Sequence, residues 1–141
     1  MNLDQISQMW EADSVIDDIE LDKASLKIPQ LHCKYLTLLN EFKLLQKKTQ
    51  QDLKKLEHKK WLYYSGKAPP EEYEEEPFEY RLMKGDVPRW VEVDDEVSTL
   101  QMKVEYYDVL LNTLSEILKQ VSQMSYNIKN CIEWRRFVNG V

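Results

Sequence analysis

Residues 97–132, VSTLQMKVEYYDVLLNTLSEILKQVSQMSYNIKNCI, decide the fold. Val97, Leu100, Val104, Tyr107, Leu111, Leu114, Leu118, Val121, Ser125, Ile128 and Ile132 step by three and four without a slip. That is an a/d heptad seam, and at 1.5 Å per residue the helix carrying it is roughly 50 Å long. Leu110, Ile117, Met124 and Cys131 form a second column, seven apart, beside the first. One seam satisfies one partner helix, whereas two adjacent columns ask for two neighbours. The seam therefore predicts a homo-oligomer, a ring or bundle, with Leu100, Val104, Tyr107, Leu111, Leu114, Leu118, Val121, Ile128 and Ile132 as oligomerisation residues. An intrachain antiparallel hairpin of two long helices is the alternative.

Upstream, Leu31, Tyr35, Leu38, Phe42, Leu45, Leu53 and Leu56 keep helical spacing. They predict a long helix over about 30–64. Pro29 lacks an amide donor and crowds the preceding turn, so a kink or break is expected beside it. The second half of this helix is polar and basic, and is expected to project from the core. Ser65-Gly66 stops it, glycine supplying a left-handed C-terminal residue. Residues 1–28 read as N-terminal helices, the first amphipathic through Leu3, Ile6, Met9 and Trp10. Residues 67–77, KAPPEEYEEEP, read as an acidic linker. Residues 78–94 change period: Tyr80 and Leu82 alternate with Arg81 and Met83, and Trp90 and Glu92 with Val91 and Val93. With the turn-like Lys84-Gly85-Asp86 between them, they predict a small β-hairpin. The whole is one mainly α domain, 1–141, ending in a C-terminal oligomerisation helix over about 95–138.

Charge is sorted along the chain. The net charge is -6, yet the acids collect at 11–22 and 71–79 while residues 43–67 are strongly basic. Within residues 47–66, KKTQQDLKKLEHKKWLYYSG, the cations Lys54, Lys55, Lys59 and Lys60 with His58 precede Trp61, Tyr63 and Tyr64. Cations that track a phosphate backbone, beside rings on which bases stack, are the parts of a single-strand-binding surface. These eight residues are the candidate nucleic-acid site. A solvated lysine face with buried aromatics, in a coiled-coil adaptor that binds other proteins and no nucleic acid, is the competing reading.

Little else suggests chemistry. There is no phosphate-binding glycine motif among three glycines, and two scattered histidines form no catalytic or metal pattern. Carboxylates lie in runs, as solvated surfaces do, so no enzyme, cofactor or metal is expected. Cys33 and Cys131 read as small buried thiols in a reducing compartment. No export signal and no membrane-length apolar run is present, which points to a cytoplasmic protein.

YYSG at 63–66 after a basic helix, the acidic linker, and the ending IKNCIEWRRFVNG resemble the UvsY recombination mediator proteins of T-even-type phages. QISQMWEADSVID and PQLHCKYLTLLNEFKLL look closest to cyanophage versions. The resemblance covers nearly the whole chain. It implies a non-enzymatic protein of the host cytoplasm, assembled from six or seven subunits through its C-terminal helix. It implies binding to single-stranded DNA, and loading of a RecA-like recombinase onto strands covered by single-strand-binding protein. The family's DNA contacts centre on two basic positions held here by His58 and Lys60. The histidine departs from that pattern, since an imidazole is a weaker phosphate contact than an ammonium at neutral pH. Lys59 or Lys55 is the expected substitute.

Overall fold

The computed structural model describes residues 1–140, and its elements are five helices: α1 (Leu3–Asp13), α2 (Leu21–Tyr64), α3 (Pro70–Glu75), α4 (Val87–Glu92) and α5 (Asp95–Val138). Helix α1 starts in a capping box, in which the Gln5 amide donates to Asn2 Oδ1 and the Asn2 amide to Gln5 Oε1, both at 2.9 Å. Helix α2 begins at Leu21, upstream of the expected start, with Pro29 inside it. Proline removes one amide, the partner of the Ser25 carbonyl. Both residues are exposed, so water can take the bond and the helix continues. At the far end the Lys67 amide donates to the Leu62 carbonyl (2.9 Å) and the Gly66 amide to that of Tyr63 (3.2 Å). With Gly66 at φ 76°, this is the glycine stop expected from the sequence.

The expected β-hairpin at 78–94 does not form, and among the described residues there is no strand. Its second arm is α4. Pro88 sits in the first turn of that helix, where its fixed φ suits and its missing amide costs nothing. The valines decide between the two periods. Val87 and Val91, four apart, are buried at 2% and 8%, while Val93, which an alternating strand would place beside Val91, is 66% exposed. The acidic stretch 67–77 carries the short helix α3.

The chain forms two compact units, Met1–Lys43 with Val109–Val141, and Leu44–Asp108. Both long helices contribute to each. In the first unit Ile6, Tyr35, Leu39, Phe42, Leu110, Leu114, Ile117, Val121, Met124 and Ile128 are buried. The α5 stripe therefore alternates between the two sequence columns: Leu110, Ile117 and Met124 from one, Leu114, Val121 and Ile128 from the other. Leu111 and Leu118 are half-buried, and Ser125 is exposed. Trp10 packs edge-on against Tyr35 (5.5 Å), and Asp13 Oδ2 accepts from Tyr35 Oη (2.8 Å) and Lys34 Nζ (2.6 Å), fastening the end of α1 to α2.

In the second unit Leu53, Val87, Val91, Val97 and Val104 form a core flanked by Leu56, Trp61, Tyr64, Leu82 and Leu100. The basic half of α2 packs on this core rather than projecting. Its Leu53, Leu56 and Tyr64 share one face at helical spacing, and α4 covers them. Gln46 Nε2 adds bonds to the Val104 carbonyl (3.2 Å) and Asp108 Oδ1 (2.6 Å), tying α2 to the start of α5. No helix of the described residues is long and apolar enough to cross a membrane.

Candidate nucleic-acid interface

The basic half of α2 presents its cations in two rows. At 100° per residue, Lys47, Lys54 and His58 fall within a narrow strip, and Lys48, Lys55 and Lys59 fall within the adjacent one. All six are exposed. Among the described residues no carboxylate lies within ion-pair distance of the five lysines. The rows extend along about 18 Å of helix. That length suits several successive phosphates of an extended strand.

Lys60 is different. It is 9% exposed, and its Nζ lies 3.4 Å from Asp94 Oδ2 and 3.6 Å from Glu96 Oε2. Burial acts to lower its pKa, but Asp94 and Glu96 outweigh that and hold the ammonium above the ordinary lysine range. Asp94 is the centre of this arrangement. Its Oδ2 accepts from Tyr64 Oη at 2.6 Å, and its Oδ1 accepts from the amides of Glu96 (3.0 Å) and Val97 (3.1 Å). One carboxylate thus caps α5, anchors the end of α2 and neutralises a buried ammonium. Burial pushes the Asp94 carboxyl up, and the bonds from Tyr64 and Val97 with the Lys60 charge outweigh it, leaving it below the usual carboxylate value. Tyr64 is pushed up, first by burial and then by its bond to Asp94.

The aromatics are built into the fold. Tyr63, Tyr64, Tyr73, Phe78, Tyr80 and Trp90 form one cluster with ring centroids 5.1–5.9 Å apart. Tyr63 stacks on Tyr73 at 5.3 Å and 15°, and Tyr64 meets Phe78 edge-on at 5.1 Å. Trp61 is half-buried against the core, and the Lys67 ammonium sits 5.0 Å from its ring centroid. Of the eight residues singled out in the sequence, four (Lys54, Lys55, His58 and Lys59) are open to solvent. Lys60, Tyr63 and Tyr64 are committed to internal contacts, and Trp61 is shared between core and surface.

Lys54, His58 and Trp61 also line one wall of an open groove of about 890 Å³, whose other walls include Val91, Glu92, Val97, Met102 and Glu105. Apolar and mixed-charge groups meet there, whereas the neighbouring row Lys48, Lys55 and Lys59 is made of lysines alone.

Sequence reading missed Asp94, Tyr73, Phe78 and Trp90. Asp94 carried a signal: an Asp just ahead of an apolar-periodic run is a helix N-cap. So did Lys60. Four residues on from Leu56 lies Lys60 and four further on lies Tyr64, which places Lys60 on the packed face. Cys33, expected buried, is exposed, and both thiols are free.

Residues 9–141 match the family described as "Recombination, repair and ssDNA binding protein UvsY". A crystal structure of the bacteriophage T4 recombination mediator protein UvsY (lattice type II) superposes with a TM-score of 0.85 at 21% identity, covering 99% of this chain and 98% of that one. A second crystal form of the T4 protein (lattice type IV) gives 0.83 at 20%, covering 97% and 98%. At such identities the likeness establishes the shared fold. No curated protein matches the sequence.

Proposed function

This chain belongs to the UvsY family of recombination, repair and single-stranded-DNA-binding proteins, and from that premise we propose that it is a recombination mediator. In this reading it holds single-stranded DNA in a form that displaces single-strand-binding protein and lets a RecA-like recombinase nucleate. The observation that carries the reading is the two exposed basic rows on α2, whose lysines have no carboxylate within ion-pair distance among the described residues. Lys54, Lys55 and Lys59 contact phosphates, with Lys47 and Lys48 extending the track. His58 lies beside them. Trp61 is the ring best placed to meet a base, because Tyr63 and Tyr64 are already packed. Lys60 supports the surface from behind rather than touching DNA.

The protein works as a homo-oligomer of six or seven subunits, as the family resemblance implies. Repeating a modest cationic track around such an assembly turns later contacts into intramolecular ones, so weak contacts sum to tight binding. Exposed Tyr126, Ile132, Trp134, Phe137 and Val138 at the end of α5 support an assembly surface there. Leu114, Val121 and Ile128, by contrast, are buried by the chain's own folding.

The test is a salt titration of binding to a fluorescent single-stranded oligonucleotide, with the duplex as control. Each phosphate neutralised contributes about -0.7 to the log-log slope. Binding that prefers the single strand and weakens steeply with salt, and that is lost with Lys55→Glu and Lys59→Glu while oligomer size is kept, is the expected result. The adaptor reading, favoured by the groove at Trp61 and Met102, predicts no binding at any salt.

A further inference from the structure

The acidic segment after α2 is fastened to the basic end of that helix. Tyr73 stacks on Tyr63, its Oη donates to the Tyr63 carbonyl (2.7 Å) and accepts from the Ala68 amide (3.3 Å), and Tyr63 Oη donates in return to the Glu76 carbonyl (2.8 Å). These reciprocal contacts bring Glu72, Glu75 and Glu76, with Glu96 of α5, around a bay of about 230 Å³ whose basic members are Lys59 and Lys60. Four carboxylates thus face two ammonium groups. Only the contact between Lys60 and Glu96 comes within ion-pair distance there, so Glu72, Glu75 and Glu76 surround the lysines without bonding them. An opposing charge that is near but unbonded exchanges readily for another anion, because no short pair has to break.

We propose that residues 70–76 are a built-in acidic strap that competes with the DNA backbone for Lys59, set in place by Tyr73. The strap rests on the DNA-binding reading and assigns a regulator to that same surface. With it docked, Lys54, Lys55, Lys47 and Lys48 are open and Lys59 is shared with the glutamates. With it displaced, Lys59 becomes fully available to phosphate. The segment has the means to leave: α3 is six residues long, none of them buried, and the strap is held through Tyr73 and the Tyr63 bond to the Glu76 carbonyl. Glu76 also contributes to holding the Lys60 ammonium above its ordinary range, so the field of the strap reaches the helix end.

Two variants of the full-length protein separate charge from attachment. Glu72→Gln, Glu75→Gln and Glu76→Gln together neutralise the strap where it sits. Tyr73→Ala removes the ring stack and two of the three hydrogen bonds that hold it, without changing net charge. Each is titrated with single-stranded oligonucleotide across a salt series beside wild type, and thermal melting verifies folding. The expected result is tighter binding at low salt for both variants, about 3- to 10-fold, with a slope steeper by roughly 0.7 as one more phosphate is neutralised. If Tyr73→Ala is folded and binds like wild type while the glutamine variant binds more tightly, the effect is one of overall charge and the strap is overturned. If wild type binds and neither variant differs from it, the strap is overturned and the DNA-binding reading stands. If neither wild type nor variants bind, both are overturned.

Discussion

The same three side chains occur together twice in this molecule, to different ends. In one unit Asp13 accepts from Tyr35 and Lys34; in the other Asp94 accepts from Tyr64 and pairs with Lys60. Both carboxyls lie below the ordinary range, each pushed up by burial but pulled down further by its partners. The surroundings differ. The Lys34 and Asp13 side chains are 42% and 23% exposed, although the Tyr35 that Asp13 also bonds is fully buried, whereas those of Lys60 and Asp94 are 11% and 7% exposed. Asp94 also caps α5 with its second oxygen, a task Asp13 does not have. Identical chemistry is thus peripheral in one place and central in the other, and burial with cap geometry sets the rank.

The sharpest way to break that ranking is Asp94→Ala. It removes the cap, leaves Tyr64 Oη without an acceptor and leaves the Lys60 ammonium only the exposed Glu96, 3.6 Å away, for an expected loss of about 3–5 kcal/mol in chemical unfolding. A loss under about 1 kcal/mol would show that the two clusters are equivalent after all. Lys60→Ala comes next. Asp94 keeps Tyr64 and the α5 amides, so the expected loss is about 1–3 kcal/mol. Its neighbour supplies the contrast: Lys59→Ala leaves stability unchanged and, with Glu72, Glu75 and Glu76 changed to Gln so that Lys59 is available, flattens the salt slope of DNA binding by about 0.7. If Lys60→Ala weakens DNA binding as Lys59→Ala does, with no loss of stability, the assignment of Lys60 to the fold is wrong.

Acid treatment compares the clusters without mutation. A depressed folded pKa means that the unfolded chain binds protons first. Stability from Asp94 and Asp13 is therefore complete above the unfolded carboxyl value, about 3.9, and drains as pH falls through the folded value. Asp94→Asn is expected to blunt this acid-side decline of the melting temperature more than Asp13→Asn does. The sign reverses at high pH for Tyr64 and Lys60. Their raised folded pKa values give stability that is whole below the unfolded values, about 10, and is lost as the solution becomes more alkaline.

The two helices and the glycine stop were legible because each rests on local rules: a 3-4 step held for nine turns, and a Gly that accepts positive φ. The stretch 78–94 was not. Val87, Val91 and Val93 satisfy both periods in part, and only burial in a core with Leu53, distant in sequence, selects the helix. The candidate site was legible as a region but not residue by residue. Nothing in the pair Lys59-Lys60 itself says which ammonium faces water. One residue is a 100° turn, and that turn carries Lys60 to the face of Leu53 and Tyr64 while Lys59 stays outside. The counter-charge at Asp94 is 34 positions away, beyond the reach of any window.

The smallest loss expected from breaking an ion pair is also the one that most cleanly isolates exposure. Lys34→Ala removes a 2.6 Å pair, shorter than the 3.4 Å separation of Lys60 and Asp94. Were distance the ruling quantity, Lys34 would matter more. Water competes for its ammonium, the long side chain loses entropy when held, and salt screens what remains, so exposed pairs contribute about 0.2–1 kcal/mol. Asp13 meanwhile retains Tyr35. The expected loss is under about 1 kcal/mol, shrinking further as salt is raised, while the loss for Lys60→Ala persists at high salt because its partner is buried. A loss for Lys34→Ala at high salt as large as that for Lys60→Ala would mean that exposure does not rank the ion pairs, and the distinction between the two clusters would fall.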